Sequence, residues 1–146
     1  MVARRSADVT WENNLVKGVG RVRFGTKALP ETAVTWGART EQSEGKTSPE
    51  ELLAAAHASC YAMALSGTLT GNRTPPTKLD VTATCTFDEV DGKWKVTTME
   101  LTVKGRVPKI DNSKFQELAK IGEKGCPISN ALRNNVDIRL KAELVQ

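Results

Sequence analysis

The stretch Thr47–Leu65, TSPEELLAAAHASCYAMAL, decides the fold. Ser48 ahead of Pro49 supplies an N-cap and a first-turn proline, and Glu50 and Glu51 set negative charge against the positive end of the helix dipole. These signals predict a long helix running roughly to Leu69, with Gly71, Asn72 and the Pro75, Pro76 pair ending it. Between Leu52 and Leu65 the segment is alanine-rich and apolar nearly all round, which is the pattern of a helix buried in a protein core. His57, Ser59, Ser66, Gly67 and Thr68 interrupt the apolar run, which argues against a bilayer span.

Upstream, Ala7–Trp11 and Gly20–Phe24 alternate apolar and polar residues, as half-buried strands do, and the turn-prone Asn13, Asn14 and Gly18 join them. A third short strand is expected over Ala33–Ala38, and the polar segment Arg39–Ser48 reads as a loop. Downstream, Leu79–Phe87 and Lys93–Val107 are β-rich, and the Asp91, Gly92 pair between them predicts a hairpin. Ser113 and Gln116 have capping-box spacing before a short helix to about Glu123, closed by Gly125. Cys126 then stands at the N-cap of another short helix whose first residue is Pro127, and Val136–Leu144 returns to strand alternation. Strands, helix, strands, helices and a final strand indicate an α+β fold, in one domain over residues 1–146.

Apolar residues make up 39% and charged residues 26% of the chain, the balance of an ordinary globular protein. The net charge of +4 is spread among nearly as many acids as bases, and no basic cluster or aromatic platform suggests nucleic-acid binding. No apolar run follows Arg4 and Arg5, so no signal peptide is expected and the reading is cytoplasmic, without membrane association. In a reducing compartment the three cysteines read as reactive or buried thiols rather than as a disulfide framework.

Cys60 taken alone reads as a small apolar core residue. Cys126 changes the reading, because a cysteine at a helix start faces unpaired backbone N–H groups that lower its pKa. One buried thiol and one at a helix start could form a peroxidatic and resolving pair. Cys85 shares a strand face with Val81, Ala83 and Phe87 and is expected in the core. His57, three residues before Cys60, invites a Cys–His nucleophile or a zinc site. It is the only histidine, however, no C-x-x-C pair exists and no Gly-rich oxyanion turn surrounds Cys60, so His57 reads as a satisfied core histidine and no metal is expected. The string EGKTSPEE at Glu44–Glu51 imitates the end of a phosphate-binding loop, but Thr40 occupies the position where that loop needs a glycine.

The helix motif, followed by KGCPIS at Lys124–Ser129, resembles the osmotically inducible protein C and organic hydroperoxide resistance family. VTWE at Val9–Glu12, GARTE at Gly37–Glu41 and VPKID at Val107–Asp111 extend the resemblance over nearly the whole chain. It implies antiparallel sheets packed around a long buried helix, an intertwined homodimer, and thiol-dependent reduction of organic hydroperoxides without metal or prosthetic group. It further implies that Cys60 is the peroxidatic cysteine and Cys126 the resolving one, that Arg39 holds the thiolate, and that Glu50 orients Arg39. An external dithiol, a lipoyl protein or a thioredoxin-like donor, would restore the thiols. Tyr61 replaces the family's usual phenylalanine, a change expected to make the pocket more polar. The alternatives are a dithiol–disulfide oxidoreductase and a non-catalytic ligand-binding module. Ten helical residues separate Glu50 from Cys60, about 15 Å of axis. That distance predicts that Arg39 and Glu50 of one subunit serve the cysteines of the other.

Overall fold

In the computed structural model, which describes residues 1–146, the elements run β1 (Ala7–Glu12), β2 (Val19–Phe24), β3 (Thr32–Val34), α1 (Trp36–Thr40), α2 (Pro49–Gly71) and β4 (Lys78–Val90). They continue with β5 (Lys93–Arg106), α3 (Asn112–Gly125), α4 (Pro127–Leu132) and β6 (Asp137–Leu144). The architecture is α+β with two three-stranded sheets and a long central helix. The chain divides into two compact units, Met1–Leu52 and Leu53–Gln146, so α2 starts in the first and continues through the second.

The first unit is an antiparallel sheet in the order β1-β2-β3, with Val9 opposite Val22 and Trp11 opposite Gly20. The Trp11 ring lies over two glycines, and a Cβ at Gly18 would come within 2.5 Å of it. The strand expected over Ala33–Ala38 ends instead at Val34. Thr35 takes extended backbone and its Oγ1 accepts from the Ala38 N–H at 3.0 Å, which caps a short helix from Trp36 to Thr40. Arg39 therefore closes a helix rather than opening a loop. At the start of α2 the Ser48 cap is as expected: its Oγ accepts from the Glu51 N–H at 3.1 Å.

In the second unit, β4 and β5 form a long antiparallel hairpin whose turn residues Asp91 and Gly92 both have positive φ, as a tight two-residue hairpin turn requires. β6 pairs with β5 in parallel, so this sheet is mixed rather than wholly antiparallel. A parallel neighbour needs a crossover, and α3 and α4 provide it. Asp111, not Ser113, caps α3, its side chain accepting from the Lys114 N–H at 2.8 Å.

The core of this unit gathers Tyr61, Leu65 and Leu69 of α2, Leu101 and Val103 of β5, Phe115, Leu118 and Ala119 of α3, and Cys126. Beyond its first turn, where Glu50 is buried, the buried positions of α2 recur every fourth residue, at His57, Tyr61, Leu65 and Leu69, which is one stripe of the helix. Length and composition alone would let α2 cross a membrane, but that stripe is packed in a protein core. Its other side, with Ala55, Ala56, Ser59, Met63 and Gly67, is exposed on this chain. α3 meets α2 so closely that a Cβ at Gly122 would lie 3.0 Å from Leu65 Cα.

Gly105 of β5 is the tightest point of this core, since a Cβ there would lie 2.4 Å from Cζ of the fully buried Phe115. Gly105→Ala is expected to destabilise the protein by about 1–3 kcal/mol through overpacking. Urea unfolding measures this, and Phe115→Leu in the same chain should recover part of the loss.

Candidate active site

The resemblance singles out four residues, and they fall into two pairs, one in each unit. Arg39 and Glu50 meet in the first. The Arg39 Nε donates to Glu50 Oε1 and Oε2 at 3.0 and 3.2 Å, and Nη2 donates to Oε1 at 2.7 Å. Glu50 is buried and Arg39 half-buried, so this is a charge-assisted contact largely sheltered from solvent. The carboxylate holds the guanidinium plane in one orientation. Beside it lies a mostly apolar recess of about 90 Å³ lined by Trp11, Leu15, Val34, Trp36 and Pro49, with Thr35 and Arg39 as its polar members.

Cys60 and Cys126 meet in the second unit. Both thiols are free, Cys60 is half-buried and Cys126 fully buried. The Cys126 side chain and the Ile128 backbone N–H both lie near enough to the Cys60 thiol to affect its ionisation. Ile128 is the second residue of α4, so one donor of that helix start acts on the Cys60 thiol. This differs from the expectation for an N-cap cysteine. Cys126 does occupy the N-cap, with Pro127 at the first helical position, but its side chain makes no capping bond because it turns into the core.

Burial pushes the Cys60 thiol above its ordinary value, the Ile128 N–H pulls it partly back, and Cys126 adds a further upward push. A thiol in this setting holds its proton, and ionising it at neutral pH calls for a nearby cation.

Three features beyond the four residues surround the cysteines. His57 is fully buried and its Nε2 lies 2.7 Å from Ser129 Oγ, joining α2 to α4 across 72 residues of sequence. Its Nδ1 has no partner, so the histidine is only half satisfied. The arrangement that leaves no buried N–H orphaned puts the proton on Nε2, donating to Ser129. Near the other end of α4, Arg133 Nη2 donates to the buried Glu123 at 2.9 Å, which ties α4 to the end of α3. Tyr61 does not make the site more polar. Its hydroxyl donates to the Ala119 carbonyl at 3.1 Å within the core, and burial, followed by Glu123 and Cys126, raises its pKa. None of these pairings is visible in sequence spacing. Cys85, opposite Met99 in the hairpin, is half-buried.

Burial holds the His57 pKa below the ordinary 6.5, with Glu123 opposing the shift. Below that pH the unfolded chain takes up a proton that the folded chain refuses, so stability contributed by neutral His57 is lost as the pH falls from 6.5 toward its folded pKa. The urea midpoint should therefore drop on acidification from neutrality, and His57→Gln should make the drop shallower.

The family model described as OsmC, OsmC-like protein, matches residues 41–141. Among curated proteins, peroxiredoxin OsmC of Escherichia coli strain K12 is 34% identical over 144 residues, covering 97% of this chain and all of that one. Organic hydroperoxide resistance protein OhrB of Bacillus subtilis strain 168 is 32% identical over 102 residues, 69% of this chain and 73% of the relative. Among solved structures, an organic hydroperoxide resistance protein from Elizabethkingia anophelis superimposes with a TM-score of 0.81 at 22% identity, covering 99% of each chain. Bacillus subtilis OhrB superimposes with a TM-score of 0.75 at 26% identity, covering 94% of this chain and 98% of that one.

Proposed function

The chain belongs to the OsmC-like protein family, and from that membership we propose that it is a thiol-dependent peroxidase. It reduces organic hydroperoxides, and more slowly hydrogen peroxide, to alcohols in oxidative stress defence in the cytoplasm. The observation that carries this reading is the approach of two free thiols, Cys60 and Cys126, from helices far apart in sequence.

The Cys60 thiolate attacks one peroxide oxygen. The O–O bond breaks, the departing alkoxide takes a proton and leaves as the alcohol, and the sulfur, oxidised by two electrons, becomes a sulfenic acid. The Cys126 sulfur then attacks that sulfenic sulfur, water leaves with the Cys126 proton, and a Cys60–Cys126 disulfide forms. An external dithiol, lipoyl or thioredoxin-like, exchanges with the disulfide and restores both thiols. No cofactor takes part. The burial of Cys126 counts against a protein disulfide as the substrate, since that sulfur is closed to a large partner.

Because burial raises the Cys60 pKa, the thiolate depends on a fixed cation, and Arg39 oriented by Glu50 is assigned that role. The apolar recess beside Arg39 suits an alkyl or aryl tail. α2 is unbroken from Pro49 to Gly71, and ten residues of helix span about 15 Å. That supports a homodimer in which Arg39 and Glu50 come from one subunit and Cys60 and Cys126 from the other. The exposed apolar residues Val9, Leu15, Val16 and Met63 support the dimer as well.

Cys60→Ser should abolish turnover and leave the fold intact, because a hydroxyl is a poor nucleophile at this position. Cys126→Ser should permit one reduction per chain and leave Cys60 open to over-oxidation, visible by mass spectrometry. Peroxidase activity retained by Cys60→Ser would refute the assignment. The shared site is tested by refolding Cys60→Ser with Arg39→Ala and purifying the heterodimer. One of its sites carries both defects and the other neither, so activity should return to about half of wild type. A heterodimer as inactive as its parents would show that Arg39 serves its own chain.

A further inference from the structure

Disulfide formation is demanding: the two Cα atoms must lie about 4.4–6.8 Å apart with their Cβ vectors converging. Cys60 lies on the long helix α2, but Cys126 begins a six-residue helix joined to α3 through a single residue. A helix that short has little hold on its own orientation.

Two polar contacts supply that hold. Arg133, at the C-terminal end of α4, is bonded to Glu123 of α3, at 2.9 Å. Ser129, inside α4, is bonded to His57 of α2 at 2.7 Å. His57 stands three residues before Cys60, and Ser129 three residues after Cys126, so this bond lies about one helical turn from each thiol. Both partners are fully buried, so water does not compete for the bond. In the resulting register Cys126 sits in the core cluster against which Cys60 packs.

We propose that His57 and Ser129 are positioning residues, whose buried hydrogen bond locks α4 against α2 in the register at which Cys126 can resolve Cys60. The inference rests on the peroxidase reading for its catalytic consequence. The lock acts on the second step only: neither His57 nor Ser129 exchanges electrons or atoms with the thiols, and the bond is already in place while both thiols are free. An unlocked α4 would let Cys60 react with peroxide and then wait as sulfenic acid.

The test separates the two steps in Ser129→Ala, His57→Leu and His57→Gln. With one equivalent of cumene hydroperoxide, sulfenic acid is trapped with dimedone and disulfide is followed by mass spectrometry. Ser129→Ala and His57→Leu should slow disulfide formation ten- to a hundredfold more than sulfenic acid formation, on the order expected when reacting groups are misplaced by about 1 Å. Excess peroxide should drive more Cys60 to sulfinic acid in these variants. His57→Gln, whose amide can still donate to Ser129, should recover much of the rate. A variant that was merely less stable would slow both steps alike and would not be rescued in this way. Equilibration with reduced and oxidised glutathione gives a second reading independent of any peroxide chemistry, namely the effective concentration of the two thiols. It should fall at least tenfold in Ser129→Ala. Disulfide formation and thiol equilibrium both at wild-type values in folded Ser129→Ala would overturn the lock. Failure of wild-type Cys60 to react with hydroperoxide would overturn the peroxidase reading and leave the glutathione result to decide the lock.

Discussion

A thiol surrounded by apolar side chains keeps its proton, and that resistance is the constraint to which the rest of the molecule answers. The stripe His57, Tyr61, Leu65 and Leu69 seats α2 in the core and leaves Cys60 on its flank, half-covered. Burial raises the thiol's pKa, and a single backbone N–H from Ile128 opposes it. One hydrogen bond from a neutral donor offsets only part of such a penalty. Elsewhere in the chain Arg39, a permanent cation, is held by the buried carboxylate of Glu50, the pair proposed to supply the missing charge. Enclosure and charge are thus built on separate stretches of sequence.

Much of the architecture was legible because its signals are local. Ser48, Pro49 and the first-turn acids announce α2, and Asp91–Gly92 announces the hairpin, since each acts within a few residues of itself. Errors came where two local signals competed. Thr35 ends β3 and caps α1 in a segment whose alternation also reads as a strand. Asp111 caps α3 in preference to Ser113, although either side chain is chemically able to do so. The direction of β6 was not legible, because inside–outside alternation is identical for parallel and antiparallel neighbours.

The two pairs of the candidate site came from motif resemblance, and the geometry within each pair from the structure. Spacing in a chain says little about contacts such as His57 with Ser129 or Tyr61 with Ala119, which join residues 72 and 58 positions apart. Serine and alanine are too common for their positions to stand out. Tyr61 shows how a substitution misleads when taken as a property of a pocket: its hydroxyl is committed to a backbone carbonyl inside the core.

The parallel crossover that carries Cys126 back beneath α2 also decides how much chain lies between the two sulfurs. From Cys60 to Cys126 the polypeptide passes through the rest of α2, both strands of the hairpin and all of α3. A bond between those sulfurs would close a ring holding most of the second unit, and rings of that size remove about 4 kcal/mol of chain entropy from the unfolded state. Oxidation would then make the chain harder to unfold, and reduction would return it to its less durable form. Each catalytic cycle would be a cycle of tethering and release for the polypeptide itself.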